Sequence, residues 1–425
     1  MTIKVLQSGE ITDYLEALTT QVTGQDVEVQ AQVSAIIEQV RTEGDAALLS
    51  LSQKFDGVSL ETLQVTDDEI QEAYQSVEPE ALAALREAAA NITSFHERER
   101  TQGFEDTRRP GVIRGIKVTP LDAIGIYVPG GSAAYPSSVL MNAIPAKLAG
   151  VNNVIMVTPP QPEGVNPNVL VAADIAGVDA IYQIGGAQAI AALAYGTETI
   201  PPVDKITGPG NIFVATAKQL VFGQVDIDMI AGPSEVGIIA DENALPSEVA
   251  ADMLAQAEHD VMARALLVTD SPALVKSVQA ELERQVATLP RRAIAEQALE
   301  TRSAIMLVQT EVEMFNLMNQ IAPEHLELQV VDAFEKLDKV KNAGSVFVGR
   351  YASEPLGDYY AGPNHILPTG GTAKFSSALG VPDFQKTIQY TYYDREALAA
   401  DVKAVGVLAR VEGLEAHARA VEERV

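Results

Sequence analysis

Glu324 and His325 stand side by side in Ala322-Pro323-Glu324-His325-Leu326-Glu327. Upstream lies Gln256-Ala257-Glu258-His259-Asp260, and downstream Gly357-Asp358-Tyr359-Tyr360-Ala361-Gly362-Pro363-Asn364-His365. Three separated clusters of carboxylate, amide and imidazole point to one site assembled from several segments. An acid beside an imidazole can move protons during a reaction. Pro323 suits the first turn of a helix, so the sequence predicts that the pair opens a helix facing a cleft. Neighbours on a helix point about 100° apart, which assigns the two to different steps rather than to one proton. A capping carboxylate beside a satisfied histidine would give the same pattern without chemistry.

Gln256 and His259 are three apart on a helix predicted over 246–259, so they share a face. Asp252 lies on the same stripe, beside the apolar row Val249, Met253 and Ala257. Such a stripe can hold a metal or simply be the wet side of an amphipathic helix. Asp358, in a glycine-rich loop, is open to the same two readings. The chain has no cysteine, so any metal must be held by nitrogen and oxygen. The missing thiol restricts the chemistry as well. An aldehyde could be oxidised to an acid only with water as nucleophile, since no thiohemiacetal can form.

A second signal is glycine. Gly208-Pro209-Gly210-Asn211 opens a predicted helix directly after a strand, placing backbone N–H groups and a helix dipole where a phosphate or carboxylate could sit. Phe213 stands where the third glycine of the dinucleotide fingerprint belongs. Pro129-Gly130-Gly131 and Gly185-Gly186 occupy the same strand-to-helix position. Strand-to-helix loops use glycine without binding anything, so three such turns favour a nucleotide site without establishing one.

These segments need a scaffold, and the hydrophobic pattern supplies it. Residues 25–102 read as helical, with Val27, Val33, Ile36, Ile37 and Val40 at helical spacing. His96, in a charged run, reads as part of a solvated helix face. From 121 onward short apolar strands alternate with helices, at 123–128, 153–158, 180–184, 204–207, 236–240 and 265–269. Such a series demands parallel sheets with crossover helices. The expected fold is α/β: two doubly wound, incomplete Rossmann-like lobes, a small helical N-terminal arm and a helical C-terminal tail. The ligand cleft is expected at the carboxyl ends of the strands. No internal sequence repeat is visible. Residues 351–382 break the rhythm and read as a functional loop. Beyond Pro382 the chain reads as a charged helical tail, in which His417 looks like a surface residue.

Composition narrows the partners. Acidic residues number 58 against 30 basic ones, a formal net charge of −28. That balance argues against nucleic acid and anionic membrane. No run approaches the ~20 apolar residues of a membrane span, and the first residues lack a signal-peptide pattern. The expected location is cytoplasmic.

Taken together, the motifs resemble those of the histidinol dehydrogenase family. The resemblance runs through Tyr127-Val128-Pro129-Gly130-Gly131, Gly185-Gly186-Ala187-Gln188-Ala189 and Gly208-Pro209-Gly210-Asn211-Ile212-Phe213. It continues through Ala231-Gly232-Pro233-Ser234-Glu235, the three clusters above, and the tail from Glu412 to His417. It implies oxidation of L-histidinol to L-histidine through L-histidinal, with zinc and two NAD, at the end of histidine biosynthesis. Gln256, His259, Asp358 and His417 correspond to zinc ligands that also face the substrate, and Tyr127, Gln188 and Asn211 to NAD contacts. Ser234, His325, His365 and Glu412 correspond to substrate contacts, with Glu324 and His325 as the catalytic acid–base residues. The implied division is an N-terminal arm (1–22), a zinc and substrate lobe (23–120 plus 232–375), an NAD-binding lobe (121–231) and a dimerisation tail (376–425). In the family that tail reaches into the neighbouring subunit, which implies a homodimer with shared active sites. The family binds NAD without the glycine fingerprint, which accounts for Phe213.

Three alternatives stand beside this. A zinc hydrolase would use Glu324 toward a metal-bound water, and a non-catalytic metal- or nucleotide-binding protein would need neither Glu324 nor His325. A related dehydrogenase of another alcohol is disfavoured by Glu412 and His365. The absent thiol gives a direct test of the aldehyde-oxidising step. Its rate should be the same before and after treatment with a thiol-alkylating reagent, and a thiol-type acyl intermediate trapped on the chain would contradict a water-based route.

Overall fold

The computed structural model describes residues 3–7, 9–21, 27–130, 134–230 and 232–425. Gly131 and Ala231, both in motifs singled out above, lie outside the described residues, as does the expected arm boundary at 22–23.

Two parallel sheets organise the chain. The first runs Ala180–Gln183, Asn153–Thr158, Ala123–Tyr127, Lys205–Thr207, Asp226–Ile227 from edge to edge. In chain order this is 3-2-1-4-5, the arrangement of a doubly wound nucleotide-binding sheet. The second runs Ala304–Leu307, Arg264–Thr269, Glu235–Ala240, His325–Gln329, Ser345–Val348, and repeats that order. Lys4–Gln7 adds one more parallel strand beside Ala304–Leu307. The repeat is therefore topological, carried by an apolar pattern and not by similar residues. Glu235–Ala240 and Arg264–Thr269 are buried along their whole length, as strands covered on both faces must be.

The connecting helices start and stop where local chemistry tells them to. Pro136–Ala149 and Pro167–Ala176 each open on a proline, whose missing N–H costs a first turn nothing. Both close on a glycine with positive φ, Gly150 at 97° and Gly177 at 76°.

Several expectations change. The N-terminal arm is not only helical, because Lys4–Gln7 forms an edge strand ahead of the helix Gly9–Gln21. Val27–Glu43 and Asp45–Phe55 pack on Gly186–Tyr195. Asp67–Ser76 and Pro79–His96 pack on the helices of the first sheet as well. The apolar faces of these helices close over the first sheet. His96 is buried rather than solvated, with Nδ1 2.7 Å from Glu99 Oε2. The tail begins as a strand: Gln385–Tyr393 pairs antiparallel with Val112–Pro120, which also pairs with Phe104–Asp106. The helices Arg395–Val411 and Glu415–Glu422 follow and pack on each other. Val405, Val407, Leu408 and Val411 remain exposed on this tail. No helix among the described residues is long and apolar enough to cross a membrane.

Candidate active site

A cavity of about 770 Å3 lies between the two sheets. Its first wall is made by Pro129, by Gly208 to Asn211, and by the openings of the helices at Pro136 and Asn168. These residues follow the carboxyl ends of the first sheet's strands. The second wall is built the other way round. Ser234 precedes Glu235–Ala240, Glu324 and His325 stand at the start of the neighbouring strand His325–Gln329, and Gln256 and His259 come where Pro246–Ala257 ends. The second lobe thus presents the amino ends of its strands, which corrects the expectation of a cleft at carboxyl ends in both. The physical consequence is a polarised cavity. Helix amino ends carry partial positive charge and helix carboxyl ends partial negative charge, so one wall suits an anion and the other a cation.

The acid–imidazole pair opens a strand, not a helix. The preceding helix Glu311–Ile321 stops at Ala322, which takes a left-handed φ of 54°, and Pro323 follows the stop. Glu324 Oε2 then accepts the Glu235 N–H at 2.9 Å. His325 Nδ1 lies 3.3 Å from the Glu235 carbonyl oxygen, and a carbonyl can only accept, so Nδ1 carries the proton. The backbone of one residue grips both side chains. His325 Nε2 is left 3.3 Å from Asp358 Oδ1, without an aligned hydrogen bond. Burial pushes the Glu324 carboxyl up to about 8. Burial opposes charge on His325, but the carboxylates of Glu324 and Asp358 outweigh it and raise the imidazole to about 10.

Gln256 is fully buried, and neither atom of its amide has a partner. An unsatisfied buried amide costs about 1–3 kcal/mol, which is tolerated where a ligand satisfies it. His259 lies past the end of the helix, not on it, but its N–H donates to the Gln256 carbonyl at 3.2 Å and keeps both on the cavity wall. Asp358 lies on the short helix Glu354–Tyr359. His365 donates from Nδ1 to the Asp358 carbonyl at 2.9 Å and faces Ser138 Oγ with Nε2 at 3.2 Å. Burial lowers its pKa, so it is a neutral imidazole that accepts the Ser138 hydroxyl. The His259 imidazole and the Asp358 carboxylate are donors that zinc accepts in the absence of thiolate, and the partnerless Gln256 amide offers a neutral oxygen at the same wall.

Other expected residues are placed less uniformly. Ser234 and Asn211 line the cavity, and Asn211 caps its helix by accepting the Phe213 and Val214 N–H groups. Tyr127 and Gln188 are buried and line no part of it. They flank the Gly185-Gly186 turn, where the Tyr127 hydroxyl accepts the Gly186 N–H. Glu412 and His417 are exposed on the tail, away from the cavity of their own chain.

Glu354, Ser138 and Asp228 also line the cavity, and the sequence reading missed them. Glu354 is buried with Oε2 unpartnered, and offers ligand atoms within 4.8 Å of those of His325 and Asp358. Its signal was available, because Glu354 and Asp358 are four apart behind a Ser353 that can start a helix.

Two opposed doubly wound lobes closing on a buried acid–imidazole pair and an N/O donor set define an α/β enzyme. The family model for histidinol dehydrogenase matches residues 19–425. The chain is 54% identical over 423 residues to the histidinol dehydrogenase of Listeria monocytogenes serotype 4b (strain F2365), with 99% of each chain covered. It is 58% identical over 410 residues to that of Lactiplantibacillus plantarum, covering 96% of this chain and 95% of the relative. The crystal structure of histidinol dehydrogenase from Elizabethkingia anophelis superposes with a TM-score of 0.94 at 37% identity, over 99% of this chain and 98% of that one. The chain belongs to the histidinol dehydrogenase family.

The orphaned amide makes a prediction that separates stability from ligand binding. In chelator, Gln256→Met should be about 1–3 kcal/mol more stable to urea unfolding than the parent, with a higher midpoint, because it removes an unsatisfied buried group at similar volume. Added zinc should then raise the parent's midpoint and leave the variant's unchanged. A variant less stable than the parent in chelator would show that the amide is already satisfied.

Proposed function

We propose that the protein oxidises L-histidinol to L-histidine through L-histidinal, with zinc and two NAD, as the last steps of L-histidine biosynthesis. The observation that carries this reading is the grip of the Glu235 backbone on both Glu324 and His325, beside the unpartnered Gln256 amide. Gln256, His259 and Asp358, with His417 of a second copy, would hold zinc, which when bound orients the substrate imidazole and polarises the reacting oxygen. NAD, when bound, takes the hydride in each oxidation. We assign Asn211 to the dinucleotide at the cavity wall, and Tyr127 and Gln188 through the Gly185-Gly186 turn they flank. Ser234, His365 and Glu412 are assigned to the substrate.

His325 acts as the base in both oxidations. Its Nδ1 proton is committed to the Glu235 carbonyl, so the tautomer leaves Nε2 to receive the alcohol proton. Glu324 and Asp358 together favour the charged imidazole; engagement of Asp358 by a bound cation would remove one of these two influences, lower the His325 pKa and favour its base form. Glu324 keeps one oxygen on the Glu235 N–H and has the other for a water molecule. Its raised pKa makes it a stronger base than an ordinary carboxylate. The water it activates attacks histidinal while His325 returns its proton to the aldehyde oxygen, completing the hydrate, and the regenerated imidazole takes a hydroxyl proton as the hydrate loses the second hydride.

A homodimer with shared sites is supported by the position of Glu412 and His417. They stand outside their own cavity, on a tail whose Val405, Val407, Leu408 and Val411 face solvent. Contiguous exposed apolar residues of this kind mark association surfaces. A cytoplasmic enzyme without nucleic-acid or membrane partners is the corresponding cellular reading, supported by the net charge of −28.

Assayed with histidinol and with histidinal separately, Glu324→Gln should lose about 10²–10⁴ in rate in the aldehyde step and far less in the alcohol step. His325→Asn should slow both. Equal losses for Glu324→Gln in the two steps would remove it from water activation.

Subunit mixing tests the tail. Read by L-histidine formation, in which His417→Ala and Glu324→Gln are each expected to be inactive, the two proteins refolded together should give about half mixed dimers, each with one intact site, and so about a quarter of all sites active. A mixture that stays inactive despite verified exchange would place each tail on its own chain.

A further inference from the structure

One buried ion pair in the first lobe has no part in the chemistry above, yet it holds the cavity wall. Lys218 lies on the helix Ile212–Val221 and Asp228 follows the edge strand Asp226–Ile227. Their side chains are 3% and 1% exposed, and they pair directly. Between them sits Gly208, the first residue of Gly208-Pro209-Gly210-Asn211. Asp228 Oδ2 accepts the Gly208 N–H at 2.8 Å, and Lys218 Nζ donates to the Gly208 carbonyl at 3.0 Å. Asp228 Oδ1 also accepts the Met229 N–H at 2.6 Å.

Gly208 needs such a restraint. Its φ is +108°, and a Cβ there would run into the Tyr127 carbonyl oxygen, so only glycine fits. Glycine is also the residue with most backbone freedom to lose. The ion pair removes that freedom by fixing both polar groups of one residue. It thereby sets where Pro209, Gly210 and Asn211 stand in the wall and how the helix amino end faces the cavity.

We propose that Lys218 and Asp228 are positioning residues for the dinucleotide: they preform the Gly208 turn, and their loss weakens cofactor binding without touching the acid–base chemistry. This rests on the assignment of the dinucleotide to that wall. Preforming a loop raises affinity by removing the ordering cost that binding would otherwise carry.

The charges should be removed together. Breaking one side of a buried pair strands the other charge, whereas replacing both with neutral groups of similar volume is often harmless to stability. The test therefore uses the zinc-loaded Lys218→Met/Asp228→Asn protein, with Lys218→Gln/Asp228→Asn as a second neutral pair that keeps a donor and an acceptor for Gly208. NAD binding is measured by titration calorimetry, beside zinc content, histidinol affinity and kcat at saturating NAD. The Lys218→Met/Asp228→Asn protein should bind NAD at least about tenfold more weakly, and Lys218→Gln/Asp228→Asn by an intermediate factor. Zinc content and histidinol affinity should match the parent, and kcat should stay within about twofold. If the first double variant fails to fold, Lys218→Gln/Asp228→Asn carries the same reading. NAD affinity within twofold of a parent that binds NAD would overturn the positioning role alone. A parent that does not bind NAD would overturn the cofactor assignment and this inference with it.

Discussion

The opposed orientation of the two sheets is the constraint on which the site depends. Each lobe has the same strand order, but one meets the cavity with the carboxyl ends of its strands and the other with their amino ends. Helices alternate with parallel strands, so the same choice fixes helix polarity. The first wall collects helix amino ends at Pro136, Asn168 and Ile212, and the second collects the carboxyl end of Pro246–Ala257. Each helix end is worth only about 0.3–1 kcal/mol to a neighbouring charge. The arrangement nonetheless sorts charge across a cavity of about 770 Å3 before any side chain is considered. A phosphate-bearing ligand and a cation can then occupy one space without competing for one wall.

Side chains sharpen that division at identifiable cost. Gln256 gives up hydration on both amide atoms, and Gly208 is held in a conformation that only glycine can adopt. The Glu235 backbone is held in the centre of the second sheet, between Arg264–Thr269 and His325–Gln329. The grip on Glu324 and His325 is therefore as rigid as the sheet itself. The Glu235 side chain extends the same rigidity outward. It pairs with Arg264 at 3.3 Å and accepts the Gly370 N–H at 2.9 Å, tying in the segment that follows His365.

Much of this was legible in the residues. The alternation of short apolar runs and helices gives strands such as Asn153–Thr158 with their observed bounds, and the helix expected over 246–259 is observed as Pro246–Ala257. The three clusters do converge on one cavity, apart from the tail residues. What the sequence hid was orientation and stop signals. Pro323 was read as a helix start, whereas it follows the left-handed Ala322 that ends the previous helix; proline serves both purposes. The polarity of the second lobe leaves no trace in a single strand, because a strand's apolar pattern reads the same from either end. Gln385–Tyr393 was absorbed into a helical tail on the strength of the charged residues beyond it, although Thr387, Ile388, Tyr390, Thr391, Tyr392 and Tyr393 favour a strand. Lys218 and Asp228 were invisible because they come together only through the fold.

The most direct measurement is the stoichiometry of the complete reaction. The zinc-loaded protein is given limiting L-histidinol and excess NAD, NADH is followed by absorbance, and the products are resolved chromatographically. Two NADH per histidinol, with L-histidine as product and no free aldehyde, is the expected result, and chelation should abolish it until zinc is restored. One NADH per histidinol with the aldehyde accumulating, or no NADH from a metal-loaded protein, would contradict the assignment of Glu324 and His325 to two successive oxidations in one site.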